Sequence, residues 1–279
     1  MTEKLSKRRL AIIGAGNMGS AILKGILDSC FLDASDISIF DKDLKKTEIF
    51  KDIENICILK SIEEALINSE YILLAVKPQQ INDVLKNLKN IYPSSRNIII
   101  SIAAGITTKF FEDRIGCSPS VIRIMPNAPS IYLKGMSVIS KGRFTEEKHL
   151  EFAEKLMKSV GEVMIIDEEM QNLATIISGS GPAYFYTFCK LITEFAVKKG
   201  LDEKSAKKLI VETMIGAGAV LQNSGHSFQS LISAVASPGG TTEKALESFQ
   251  IKELSEIFDY ALENALNRAY ELGKNNKPD

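Results

Sequence analysis

Two short runs hold residue types and spacings from which chemistry follows. The first is Gly14-Ala15-Gly16-Asn17-Met18-Gly19, a G-x-G-x-x-G hexapeptide. Alone it is a weak signal. Here an apolar run, 10–13, precedes it directly and an amphipathic stretch follows, which is the strand–turn–helix setting of a phosphate site. Gly14 permits the tight turn, Gly16 lets the backbone touch a pyrophosphate, and Gly19 lets the helix pack close to the sheet. The helix start, with Asn17 and Met18, offers unpaired N–H groups and the positive end of a dipole to the same phosphates. The second run is Ser237-Pro238-Gly239-Gly240-Thr241-Thr242. Pro238, Gly239 and Gly240 force a tight, irregular turn, and Thr241 and Thr242 begin a helix. An anion suits that helix N-terminus, and glycines let it approach the backbone without a Cβ in the way. The alternative is that Thr241 or Thr242 only caps the helix.

The elements around these runs differ between the two halves of the chain. In the first half short apolar runs (10–13, 37–40, 71–76, 98–102 and 121–125) alternate with helical patterns, including a capping box at Ser61-Ile62-Glu63-Glu64. This predicts a parallel, doubly wound α/β sheet. After about residue 166 strand signals nearly vanish. A helix is expected over 182–199, with Gly200 just past its end, then one capped by Asp202, and a last one over 251–272. The glycines at 216 and 218 weaken the second of these and suggest close approach by another helix. Two domains are therefore expected, 1–165 binding a dinucleotide and 166–279 all-helical.

Composition narrows the function classes. Of the 279 residues, 45% are hydrophobic and 25% charged, enough to build a core without staples. A net charge of -1 argues against a general nucleic-acid binder. No stretch approaches the ~20 apolar residues that would cross a bilayer, and the charged start runs into glycines without an apolar signal region, so a cytoplasmic protein is expected. Cys30, Cys57, Cys117 and Cys189 lie far apart, which predicts buried, reduced thiols rather than a disulfide framework or zinc site. His149 and His226 fall outside both runs, too few for a His-based triad or metal-bound water, and surface or capping roles are expected. The polar tail 273–279 is expected to fray.

The second strand ends in Phe40-Asp41, 22 residues beyond Gly19, where an acid normally bonds the ribose hydroxyls of NAD. A carboxylate there would repel a 2′-phosphate, yet Lys42, Lys45 and Lys46 follow and could neutralise it. The sequence leaves NADH against NADPH open.

Further segments add a resemblance. Ala75-Val76-Lys77-Pro78-Gln79, Ser101-Ile102-Ala103-Ala104-Gly105, Arg123-Ile124-Met125-Pro126-Asn127 with Pro129, and Ser178-Gly179-Ser180-Gly181-Pro182-Ala183-Tyr184 join the two runs above. In order and spacing the whole resembles the pyrroline-5-carboxylate reductase family from residue 9 to about 270. The resemblance implies a Rossmann domain followed by a helical domain that dimerises by interlocking helices. It also implies reduction of pyrroline-5-carboxylate to proline with NADPH or NADH, the last step of proline biosynthesis.

Residues 75–78 end a strand, beyond whose carboxyl end ligands of open α/β sheets sit, and the resemblance lays this stretch along the cofactor. This makes Ala75, Val76, Lys77 and Pro78 cofactor-binding candidates, with a plain surface lysine the alternative for Lys77. Ala103, Ala104 and Gly105 are small enough to leave room for a flat nicotinamide. The resemblance places Asn127 near that ring, with a structural turn as the alternative. It gives Thr242 and Ser237 catalytic roles, Thr242 bonding the imine nitrogen and relaying a proton. Gly239, Gly240, Thr241, Ser180 and Glu168 then contact substrate, though Ser180 could instead cap its helix. Ala234 departs from the pattern, standing where some relatives carry a polar residue. A 3-hydroxyacid dehydrogenase-like oxidoreductase is a second reading, but such enzymes use a linker-helix lysine as acid and residues 167–178 contain none. A non-catalytic, nucleotide-sensing relative is a third, and it would be expected to lose the 237–242 loop.

Overall fold

A computed structural model describes residues 8–274; the tail beyond Lys274, expected to fray, lies outside them. The strands are β1 (Arg8–Ile13), β2 (Ile37–Phe40), β3 (Cys57–Ile58), β4 (Ser69–Leu74), β5 (Ile98–Ser101), β6 (Val121–Met125), β7 (Gly135–Lys141) and β8 (Gly161–Ile165). The helices are α1 (Asn17–Asp28), α2 (Lys45–Glu48), α3 (Ile62–Asn68), α4 (Ile81–Ser95), α5 (Thr108–Ile115), α6 (Glu147–Lys158), α7 (Gln171–Ala174), α8 (Gly181–Lys198), α9 (Glu203–Asn223), α10 (Phe228–Val235), α11 (Thr241–Ile251) and α12 (Leu254–Lys274).

All eight strands join one sheet in the order β3-β2-β1-β4-β5-β6-β7-β8, parallel except for the β6–β7 pair. Their apolar runs are continuous because both faces are covered. Leu10, Ile12 and Leu73 pack toward Ile22 and Ile26 of α1 on one face. Ala11, Ile13 and Ile72 pack toward Leu66 of α3 and Leu85 of α4 on the other. The strand order reverses between β1 and β4, which makes their carboxyl ends the switch point of the sheet. The register aligns Ile13 with both Phe40 and Leu74, so Gly14, Asp41 and Ala75 leave the sheet at one level.

By contacts the chain divides into Met1–Ser180 with Leu266–Asp279, and Gly181–Ala265. The break is later than the 165/166 expected from the loss of strand pattern. Residues 166–180 stay on the sheet because Ser140 Oγ donates to the Ile166 carbonyl at 2.7 Å. Gln171, fully buried, donates to the Val138 carbonyl and Ser140 Oγ at 3.1 and 3.0 Å. Strands β7 and β8 were not anticipated. β8 exposes Met164 and Ile165 and alternates poorly, so it leaves little periodic signal.

The second unit is helical throughout. Asp202 caps α9 by accepting from the Ser205 N–H at 2.9 Å, and Gly200 ends α8 with φ +99°, both as expected. The last helix differs: Ile251 closes α11, and Glu253, at φ 52°, breaks the chain before α12. A Cβ at Gly216 or Gly218 would meet nothing within 4 Å, so no neighbouring helix of this unit explains those glycines. Of residues 181–265 only Gly181 and Ala206 are buried.

Two further expectations are corrected. None of the four free cysteines is fully buried; Cys30 and Cys117 are exposed. His149 is not a surface residue but is buried in the sheet unit, 2.9 Å from Tyr71 Oη through Nδ1. Among the described residues no helix is long and apolar enough to cross a membrane.

Candidate active site

The glycine turn is built as its spacing requires. Gly14 has φ +109° and donates its N–H to the Phe40 carbonyl at 2.7 Å. A Cβ there would lie 2.5 Å from the Ala75 carbonyl oxygen, and one at Gly19 would collide with the Gly14 carbonyl. Gly16, by contrast, faces open space. It is the N-cap of α1, and no side chain caps that helix. The first-turn N–H groups are left for an outside acceptor, which suits the pyrophosphate of a dinucleotide. Met18 packs against the core and Asn17 is exposed in the first turn.

A cleft opens over the switch point, lined by Gly14, Gly16, Asp41, Ala75, Val76 and Lys77 together with Ile13, Phe40, Lys42, Lys46, Ile62, Gln80 and Val84. Six residues named from sequence as cofactor-binding thus share one cavity. Asp41 does more than face it. Its Oδ2 accepts the Ala15 N–H at 2.8 Å and its Oδ1 the Asp43 N–H at 2.9 Å, tying the glycine turn to the end of β2. Pro78 starts a short turn closed by Gln80, whose Oε1 accepts the Lys77 N–H at 3.2 Å.

Other candidates lie outside the cleft wall. Ala103 is buried after β5, and Gly105, at φ +75°, faces Leu272 of α12. Asn127 is held at both ends of its amide. Its Nδ2 donates to the Ser178 carbonyl at 3.0 Å and its Oδ1 accepts the Met136 N–H at 2.9 Å. It thereby ties the start of β7 to the π-helical turn Thr175–Gly179. Glu168 is likewise engaged. Its Oε1 accepts the Thr108 N–H at 2.8 Å and meets Arg123 Nη1 at 3.3 Å, while its Oε2 accepts the Thr108 hydroxyl at 2.5 Å. Burial pulls the Arg123 guanidinium below its ordinary pKa, against the opposing effect of Glu168. Glu168, expected from the resemblance to contact substrate, thus forms an ion pair inside the sheet unit. The Ser180 N–H closes the π-turn on the Thr175 carbonyl at 2.9 Å.

In the second unit the 237–242 loop forms the expected turn. Gly239 has φ +72°, and the Gly240 N–H reaches the Ser237 carbonyl at 2.9 Å. Gly240, not a threonine, is the N-cap of α11, with no side-chain cap. The first helical bond is Lys244 N–H to the Gly240 carbonyl at 3.2 Å, which leaves the N–H groups of Thr241, Thr242 and Glu243 without an intrahelical acceptor. Thr242 is half-buried, and its hydroxyl has no hydrogen-bond partner among the described residues. The Gly239 N–H is taken by the Glu243 carboxylate at 2.7 Å, a contact the sequence reading did not foresee.

The chain matches the family described as NADP oxidoreductase coenzyme F420-dependent over residues 9–105, and pyrroline-5-carboxylate reductase dimerisation over 168–272. A pyrroline-5-carboxylate reductase of Haemophilus influenzae is 32% identical over 270 residues, covering 96% of this chain and 98% of that protein. The chain belongs to the pyrroline-5-carboxylate reductase family. It is an oxidoreductase with a Rossmann-like sheet domain and a helical dimerisation region. Solved structures of pyrroline-5-carboxylate reductases agree. The one from Coxiella burnetii has TM-score 0.89 and 32% identity, covering 96% of this chain and 99% of that one. The one from Plasmodium falciparum, with NADP bound, has TM-score 0.84 and 27% identity, covering 95% and 98%. Beside the pyrroline-5-carboxylate reductase motifs, sequence reading missed the apolar side of the cleft, Ile62 and Val84. Their signal was present only indirectly, in the capping box and the amphipathic pattern that put α3 and α4 beside β4.

Proposed function

We infer that this chain reduces the ring C=N bond of 1-pyrroline-5-carboxylate to give L-proline, using NADPH or NADH. The observation that carries this reading is the open Gly16 and uncapped α1 at the switch point, in a chain that aligns almost end to end with such reductases. The residues fit a dinucleotide: Gly14 and Gly16 would admit the pyrophosphate, Ile62 and Val84 would give a base an apolar wall, and Lys77 lines the same cleft as a cation for the phosphates.

The reduced nicotinamide, when bound, supplies the hydride that adds to the imine carbon. The protein's part is orientation. Thr241 and the first turn of α11 hold the substrate carboxylate, with the Gly239–Gly240 backbone giving it access. The Thr242 hydroxyl, without an internal partner, bonds the ring nitrogen and relays the proton that nitrogen gains; Ser237 borders the same turn. A protonated imine is already electrophilic, so no strong acid is required of the chain. The helical unit pairs with a second copy, giving a dimer or a higher oligomer built from dimers. The unburied helices and the open space over Gly216 and Gly218 support this.

The test is the loss of reduced-nicotinamide absorbance with each cofactor. Oxidation that depends on pyrroline-5-carboxylate is expected. Turnover of a 3-hydroxyacid pair instead would replace this reading with the dehydrogenase one.

A further inference from the structure

Asp41 and the three lysines after it left the cofactor's phosphate state undecided in the sequence, and the structure separates their roles. Both oxygens of Asp41 already accept backbone N–H groups, from Ala15 and Asp43. Its side chain is only 13% exposed. Two N–H dipoles and a nearby ammonium offset its charge, so a second anion beside it meets less repulsion than a bare carboxylate would impose.

The lysines are not equivalent. Lys45 does not line the cleft. Lys42 lines it but reaches across to α4, where its Nζ lies 3.4 Å from Asp83 Oδ2; that hydrogen bond holds the Asp83 carboxyl below its ordinary pKa. Lys77 follows β4, two strands over in the sheet from the β2 end that carries Asp41. Lys46 rises from α2 with its Nζ 3.8 Å from Asp41 Oδ1, too far for a hydrogen bond, and half of its side chain is exposed. It also borders the adjoining groove lined by Gly16, Asn17, Ser20 and Lys24. Its three N–H donors therefore remain for a ligand placed next to the ribose.

We propose that Lys46 is the specificity-determining residue of the cofactor cleft, receiving the 2′-phosphate of NADPH over a backbone-pinned Asp41, so that NADPH is preferred although β2 ends in an acid. This rests on the reductase reading above, and the tests are chosen to separate the two.

The first test is a calorimetric titration of the folded oligomer with adenosine 2′,5′-bisphosphate and with adenosine 5′-monophosphate. The wild type should bind the bisphosphate more tightly. Lys46→Ala should weaken the bisphosphate about tenfold and the monophosphate less than about twofold, as for a lost charge-assisted contact. Lys46→Arg should keep the discrimination within about threefold, because the charge stays. Lys45→Ala should change neither. In turnover, Lys46→Ala should lower the NADPH to NADH ratio of kcat/KM about tenfold, mainly through KM, whereas Lys77→Ala should weaken both cofactors alike. Equal effects of Lys46→Ala on both nucleotides, or no effect on either, would overturn the proposal. If neither cofactor is oxidised with pyrroline-5-carboxylate, the reductase reading fails, while the titrations still decide the role of Lys46.

Discussion

Thr242 shows how one side chain separates two readings. A cap must sit at the residue before the helix and accept an N–H with its own oxygen. Gly240 holds that position, and no side chain caps α11. Thr242→Ala should therefore cost less than the ~1 kcal/mol of a lost cap, while kcat/KM falls by about tenfold or more through loss of the bond to the ring nitrogen. Thermal unfolding and steady-state kinetics on the same preparation check this; full activity in the folded variant would remove Thr242 from the reaction. The neighbouring Glu243 carboxylate takes the Gly239 N–H, while the first-turn N–H groups of α11 stay without an intrahelical acceptor.

Between elements, two buried polar contacts do most of the positioning that the sequence did not announce. Glu168 bridges the N-terminus of α5 and the Arg123 side chain of β6, which is 6% exposed. Removing the carboxylate leaves the buried guanidinium without its ion-pair partner, with only Asn172 Oδ1 at 3.4 Å, and leaves the Thr108 N–H without its acceptor, although Thr107 still caps α5. Glu168 itself is partly exposed, so Glu168→Ala should destabilise by roughly 2–3 kcal/mol, somewhat less than breaking a fully buried pair. Denaturant unfolding at fixed protein concentration measures it. A variant of unchanged stability but raised substrate KM would return Glu168 to the substrate role.

The second contact joins α6 to β4 through His149 and Tyr71, with Phe152 stacked on Tyr71 at 3.7 Å. Burial pushes Tyr71 up to about 12, with the Glu70 charge adding to it. Burial, then the Lys148 charge, push His149 below its ordinary value, against Glu146 and Glu70. Below the unfolded value of about 6.5 the unfolded chain binds the extra proton more readily. The contribution of His149 is thus complete above that pH and lost as pH falls through its lower folded value. Melting temperature should drop on acidification from about 6.5, and a His149→Gln variant should show a shallower drop over the same window. Parallel curves would show that other groups set the acid limit.

At the scale of the molecule, the two units differ in what they bury. The sheet unit encloses two continuous apolar layers. The helical unit buries two residues of 85, Gly181 and Ala206, and exposes Phe185, Phe195, Phe228 and Ile251 by 60% or more. An apolar surface of that extent is rarely left open on a soluble monomer, and a unit with so little core does not offset its own conformational entropy. A dimer whose helical unit folds only with its partner is the expected outcome. Sedimentation should show no folded monomer at micromolar concentration, and Phe195→Glu should abolish dimer and helical signal together. A stable, active monomer would sink this view.

The sequence by itself determined the glycine turn, the alternation of strands and helices, the helix caps at Ser61 and Asp202, and the 237–242 turn. These are local: each follows from backbone freedom, side-chain periodicity or a nearby hydrogen bond, and neighbours in the chain carry the signal. Only the tertiary structure decided what depends on residues far apart. Asn127 and Glu168 read as ligand contacts in sequence, and the fold adds partners 51 and 60 residues away for their polar atoms. His149 looks like a surface residue until Tyr71, 78 residues away, is folded against it. The unit boundary at Ser180 rests on Gln171 reaching β7. Lys46 is separated from Lys42 only by where the fold puts two carboxylates, Asp83 of α4 beside Lys42 and Asp41 beside Lys46. Desolvation and hydrogen-bond satisfaction belong to a place in space, and no local pattern encodes who will occupy the other side of it.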